Sequence, residues 1–173
     1  LQKRKNLKLV ISYMKRSDNA VIYLKKLLQK KNYGDLLFTS YQSFIGRPKP
    51  REKEFFQHQS KLRRKKYSLN KTNLSRKKIF EKYLNSQCHC INLLRFLFGK
   101  INIKNVNLSK QGEGSVVFES KKKDLIELTN KYLLDEKIFE CLSLNFSKGV
   151  IQLFLQNPFK KNSYSKVIIK KGK

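Results

Sequence analysis

Thirteen of the 33 residues in the segment 46–78 are Lys or Arg, against two Glu, a net charge of +11. Such a stretch cannot bury a core of its own, because taking unpaired cations out of water costs more than its few apolar side chains return. Pro48 and Pro50 favour an extended backbone at its start. Phe55, Phe56, His58 and Tyr67 are interleaved with the charges. The segment 46–72 therefore reads as a long projecting basic loop, and the core must come from the blocks on either side.

The first block has the pattern of a strand, a helix and a strand. Residues 8–13 (KLVISY) are rich in β-branched residues, and Ser17, Asp18 and Asn19 offer cap chemistry for a helix. Val21, Leu24, Leu27 and Leu28 recur at helical spacing, and Gly34 is read as the stop. Residues 36–45 (LLFTSYQSFI) read as a second strand.

The second block opens with a helix over 73–100, marked by the apolar stripes Ile79, Phe80, Tyr83, Leu84 and Leu93, Leu94, Phe96, Leu97, Phe98. Strand signals follow at 100–110 and 115–119, with a turn at 111–114. Leu125, Leu128, Tyr132, Leu133 and Phe139 suggest one or two helices across 121–144. Gly149 breaks the chain, and 150–155 (VIQLFL) is the last clear strand. The tail 157–173 is basic, without an acid.

Over all 173 residues, 40 Lys and Arg oppose 12 Asp and Glu, for a net charge of +28. Like charges repel on compaction, so an anionic partner is expected, nucleic acid first and an anionic membrane surface second. The apolar runs fall short of the roughly 18 residues a membrane-spanning helix needs. Residues 1–10 (LQKRKNLKLV) have no continuous apolar region of the secretory type. Three cysteines give no disulfide framework and point to a reducing compartment. A single alanine, no tryptophan and many Asn, Lys, Ile and Phe fit AT-rich codons of an organellar genome.

Chemistry-bearing motifs are sparse. Cys88-His89-Cys90 resembles a fragment of a metal site, but zinc needs four ligands, usually in spaced pairs. Only His58 and Cys141 remain to complete it, so no metal is expected and a buried helical Cys is the simpler reading. No phosphate-cradling G-x-x-x-x-G-K-[ST] or G-x-G-x-x-G motif occurs, and no catalytic carboxylate pair stands out. Neither a cofactor nor enzymatic activity is expected. The basic segment with its aromatics is the strongest signal, because cations neutralise phosphates and aromatic rings stack on unpaired bases.

The order of residues in that segment resembles the long loop of the universal small-subunit ribosomal protein S-10 family. Pro48-Lys49-Pro50 is followed by Arg51, Glu52, Lys53, Glu54 and Phe56, and then by His58 with Lys61, Arg64, Tyr67 and Leu69. The run from Glu136-Lys137 through Leu142, Leu144 and Phe146 to Gly149-Val150, Leu153 and Leu155 is similar to the family's last helix, turn and final strand. About five loop residues are missing relative to the family, 73–112 looks like an insertion, and the tail 157–173 is extra.

The resemblance implies one α+β domain over 1–173, a ferredoxin-like β-α-β-β-α-β sandwich with a long basic loop and an inserted, partly helical segment. It implies a structural constituent of the small ribosomal subunit, in its head. The expected rRNA-binding residues are Arg47, Lys49, Arg51, Lys61, Arg63, Arg64, Lys65 and Lys66, with Phe55, Phe56, His58 and Tyr67 stacking or packing. Lys3, Arg4 and Lys5 and the C-terminal lysines rank behind them. The implied partners are small-subunit rRNA and proteins of the S-3, S-9 and S-14 families, with no membrane and no homo-oligomer. The implied location is the mitochondrial matrix, with the plastid as alternative. A nucleoid-type DNA- or RNA-binding protein is the alternative function, and an RNA-processing enzyme fragment stands third.

Overall fold

The computed structural model describes residues 13–30, 32–46, 74–133, 138–158 and 163–172. Within the helix that starts at Leu74, side chains are described at position 83 and from 87 onward. The chain enters through a 3-10 turn, Met14–Ser17. Helix α1, Asn19–Gln29, follows at once, and the Asp18 carboxylate accepts from the Ala20 amide as the expected cap chemistry requires. Val21, Leu24 and Leu27 form its buried stripe. The helix ends five residues before Gly34, which instead serves the turn into β1 at φ +77°.

Strand β1, Leu36–Ile45, has the predicted bounds. Helix α2, Leu74–Phe98, matches the helical expectation for that stretch. Six further strands follow: β2 Ile101–Leu108, β3 Gly114–Ser120, β4 Leu125–Tyr132, β5 Ile138–Phe146, β6 Gly149–Phe154 and β7 Lys166–Lys171. They form one sheet with β1 in the order β2-β3-β4-β1-β5-β6-β7. Among the described residues only the β1–β4 pair is parallel; the other five pairs are antiparallel.

The α+β expectation holds, but the ferredoxin-like arrangement does not: among the described residues the sheet has seven strands, in a different order. The helices expected across 121–144 are strands β4 and β5. Their inward positions alternate, Ile126, Leu128, Asn130 on β4 and Glu140, Leu142, Leu144 on β5. That is a period of two, which Leu125, Leu128 and Tyr132, three and seven apart, imitated at helical spacing. The run taken for a last helix is thus β5, joined to β6 by a tight turn. Gly149 lies there at φ +155°, and a Cβ would stand 2.6 Å from the Lys170 carbonyl oxygen. The basic tail contributes β7, whose Val167 and Ile169 pack on the core. The expected strand at 8–13 lies outside the described residues except for Tyr13.

Both helices contribute to one core with the inward sheet face. Leu24 of α1 and Leu93 and Leu94 of α2 are fully buried with Tyr41, Leu128, Leu142, Leu144, Ile151 and Leu153. Each such aliphatic side chain contributes about 1.5–3 kcal/mol by leaving water. Residues 74–108, part of the expected insertion, provide α2 and β2.

Candidate functional site

The register of the three central strands sets inward side chains in rows. Ile126, Thr39 and Leu144 form one, and Leu128, Tyr41 and Leu142 the next. The third is wholly polar: Asn130, Ser43 and Glu140, all buried. A carboxylate in a core needs a compensating charge and donors. The 3-10 turn and α2 bring them.

Lys15 reaches in from the 3-10 turn and places its Nζ 2.5 Å from Glu140 Oε1, with the two side chains 17% and 7% exposed. The same ammonium donates to the Tyr41 hydroxyl at 3.2 Å. Three further donors meet Glu140 Oε1: the Ser43 hydroxyl at 3.2 Å, the Tyr41 hydroxyl at 3.4 Å and the Cys90 thiol at 3.4 Å. Helical spacing brings Cys90 to this point, because Gln87, Cys90 and Leu94 fall on one buried face of α2.

Burial, reinforced by the Cys90 and Glu140 charges, holds the Tyr41 phenol well above its ordinary range, so it is a donor and not a base. Burial also pushes the Cys90 thiol up to about 11, against the pull of Lys15. Cys90 is therefore no nucleophile near neutral pH. His89 stands beside the cluster, its ring 5.7 Å from that of Tyr13. Its Nδ1 is buried without a hydrogen-bond partner among the described residues. Desolvation, then the Lys15 charge, lower its pKa, so the ring is neutral at pH 7.

The rim is cationic and aromatic. The Arg16 guanidinium lies 5.4 Å from the Phe96 ring and 5.9 Å from that of Tyr13. Lys25 sits 3.7 Å from the Phe96 centroid. The site can hold an oxygen-bearing or anionic group at a lysine that is charge-compensated from below.

The sequence reading named only Cys88, His89 and Cys90 here, and as a metal fragment. Successive helical residues point about 100° apart, and among the described residues no three His, Cys, Asp or Glu stand together to hold a metal. Lys15, Tyr41, Ser43 and Glu140 were missed. The available signal was Glu140 itself, an acid at inward parity in IFECLSLNF, hidden once that run was read as helical. Arg47, Lys49, Arg51, Phe55, Phe56, His58, Lys61, Arg63, Arg64, Lys65, Lys66 and Tyr67 all lie outside the described residues.

No protein-family model matches the sequence, and the search of curated proteins finds no match. Solved structures do share the fold. An NADPH-dependent oxidoreductase from Desulfitobacterium hafniense superposes with a TM-score of 0.61 at 15% identity, over 98% of this chain and 48% of that one. The WlbA dehydrogenase from Bordetella pertussis, solved with NADH and UDP-GlcNAcA, gives 0.59 at 12%, over 99% and 49%. A myo-inositol dehydrogenase from Corynebacterium glutamicum gives 0.54 at 15%, over 88% and 44%. The chain spans about half the length of these proteins, and at such identities the likeness is one of fold.

These findings correct the resemblance to the ribosomal S-10 family. With it fall the expected role in the small subunit, the nucleoid alternative, the partners rRNA and the S-3, S-9 and S-14 families, and the expected lack of enzymatic activity. The three solved structures named above are described as an oxidoreductase and two dehydrogenases.

Proposed function

We propose that the chain is the substrate-side part of an NAD(P)-linked oxidoreductase acting on a polyhydroxylated, anionic substrate of the nucleotide-sugar class. The superposition of nearly the whole chain on half of several dehydrogenases carries the reading. The cationic rim around Lys15 and the net charge of +28 favour an anionic substrate over a neutral polyol, through attraction and faster encounter.

The described residues do not fit the dinucleotide itself. Its recognition in a parallel βαβ unit uses a glycine-rich turn at a helix N-terminus. The sequence has no G-x-G-x-x-G, and among the described residues the one parallel pair, β1–β4, is bridged by α2 and the β2–β3 hairpin. In this reading the dinucleotide is held elsewhere than by the described residues. In this reading Lys15 orients a substrate oxygen, Glu140 holds the ammonium in place, and Tyr41 carries the hydrogen bond between them.

Saturation-transfer NMR with UDP-N-acetylglucosamine, UDP and myo-inositol tests this. The expected result is retention of the sugar moiety itself, weakened at least about tenfold by Lys15→Met. Equal retention of UDP and the UDP-sugar, indifferent to Lys15, would reduce the interaction to bulk charge and overturn the reading.

A further inference from the structure

Among the described residues the sheet has two edges, and they differ in kind. The β7 edge carries Lys166, Lys170 and Lys171. Pairing β7 with a second copy about its centre would set Lys166 against Lys171, a like-charge contact that guards the edge. The β2 edge carries only Lys104, whose Nζ is 3.2 Å from the Glu119 carboxylate of β3. Every β2 residue from Asn102 to Asn107 is exposed, with Ile103 at 64% and Val106 at 52%.

The sequence of β2, Ile-Asn-Ile-Lys-Asn-Val-Asn-Leu, reads alike from both ends: apolar, Asn, apolar, two polar, apolar, Asn, apolar. We propose that β2 pairs antiparallel with β2 of a second copy, about a twofold axis between Lys104 and Asn105. That register sets Ile101 opposite Leu108 of the second copy, Asn102 opposite Asn107, Ile103 opposite Val106 and Lys104 opposite Asn105.

In a regular strand a twofold between two residues would oppose side chains of different faces. The bulge between Ile103 and Asn105 removes the conflict. Ile103 pairs with Phe118 and Val106 with Val116, both core residues of β3, so Ile103 and Val106 share the helix-bearing face although three apart. The extra residue thus puts all four apolar side chains on one face and the three asparagines on the other. Two sheets joined here cover Ile103 and Val106, and no like charges stand opposed.

Sedimentation velocity of the whole chain, from about 1 to 300 μM in about 0.5 M salt to screen its net charge, tests the proposal. A concentration-dependent dimer is expected. Ile103→Lys and, separately, Val106→Lys should each raise its dissociation constant at least about tenfold, with unchanged far-ultraviolet circular dichroism. In the Ile103→Cys/Val106→Cys protein, oxidation should link position 103 of one copy to 106 of the other. A monomer throughout the range, a dimer indifferent to both lysine substitutions, or links joining 103 to 103 would overturn the proposal.

Discussion

Leu128, Tyr41 and Leu142 lie side by side across β4, β1 and β5, and two residues further along the same strands lie Asn130, Ser43 and Glu140. The two rows share strands, burial and the helix layer above them. The first behaves as a core should: its aliphatic side chains need no partner, and its tyrosine finds one in Lys15 and Glu140. The second is held only because Lys15, Tyr41, Ser43 and Cys90 together satisfy one carboxylate oxygen. Ionic rows rarely stabilise more than well-packed apolar ones. The comparison therefore points to a use for the polar row other than stability.

The sharpest break is Glu140→Ala, which leaves Lys15 without its counter-ion in a nearly dry site. Loss of about 3–5 kcal/mol is expected, read as a shifted urea midpoint with an unchanged slope. Leu142→Ala, one row away, should cost about 2–5 kcal/mol through lost burial and a cavity. The two substitutions differ in repair: placing Met at both Lys15 and Glu140 should restore the first, while no polar substitution should restore the second.

The pH dependence sharpens the contrast further. Cys90 rises from its ordinary value of 9 to about 11 in the fold, and Tyr83, on the same helix, rises from 10 to about 12. Both native groups hold their protons more tightly than the unfolded chain does. Their contribution is complete below pH 9 and is lost as the pH rises through 11 and 12. The thiol alone accounts for a fall on the order of 2 kcal/mol. Denaturant titrations at pH 8.5 and about 11 measure it, and Cys90→Ala should flatten the first part of the decline.

His89 gives the smallest effect, of opposite sense. Its native pKa is lowered, so the unfolded chain binds the proton first. Stability should fall slightly as the pH drops below the ordinary histidine value of 6.5. His89→Gln should remove that limb in thermal melts between pH 7.5 and about 5.5, leaving the carboxylate limb at lower pH.

Much of the fold was legible where pattern and local chemistry agree. Asp18 caps α1, residues Leu36–Ile45 form β1, and VIQLFL falls on β6. The 121–144 stretch misled because leucines at 125, 128 and 133 mimic a helical stripe, whereas tertiary pairing with β1 and β3 selects the alternating set Ile126, Leu128 and Asn130. Strand β7 was hidden by its lysines, which as edge residues face solvent. The site was the least legible part. Lys15, Ser43, Cys90 and Glu140 are scattered over 126 positions, and only the sheet register and one helical turn bring them together.

The direct test of a functional polar row is the Lys15→Met/Glu140→Met protein, measured for both urea stability and UDP-N-acetylglucosamine binding. The account predicts stability within about 1 kcal/mol of the parent protein and binding weakened at least about tenfold. Undiminished binding in a fully folded double variant would contradict it.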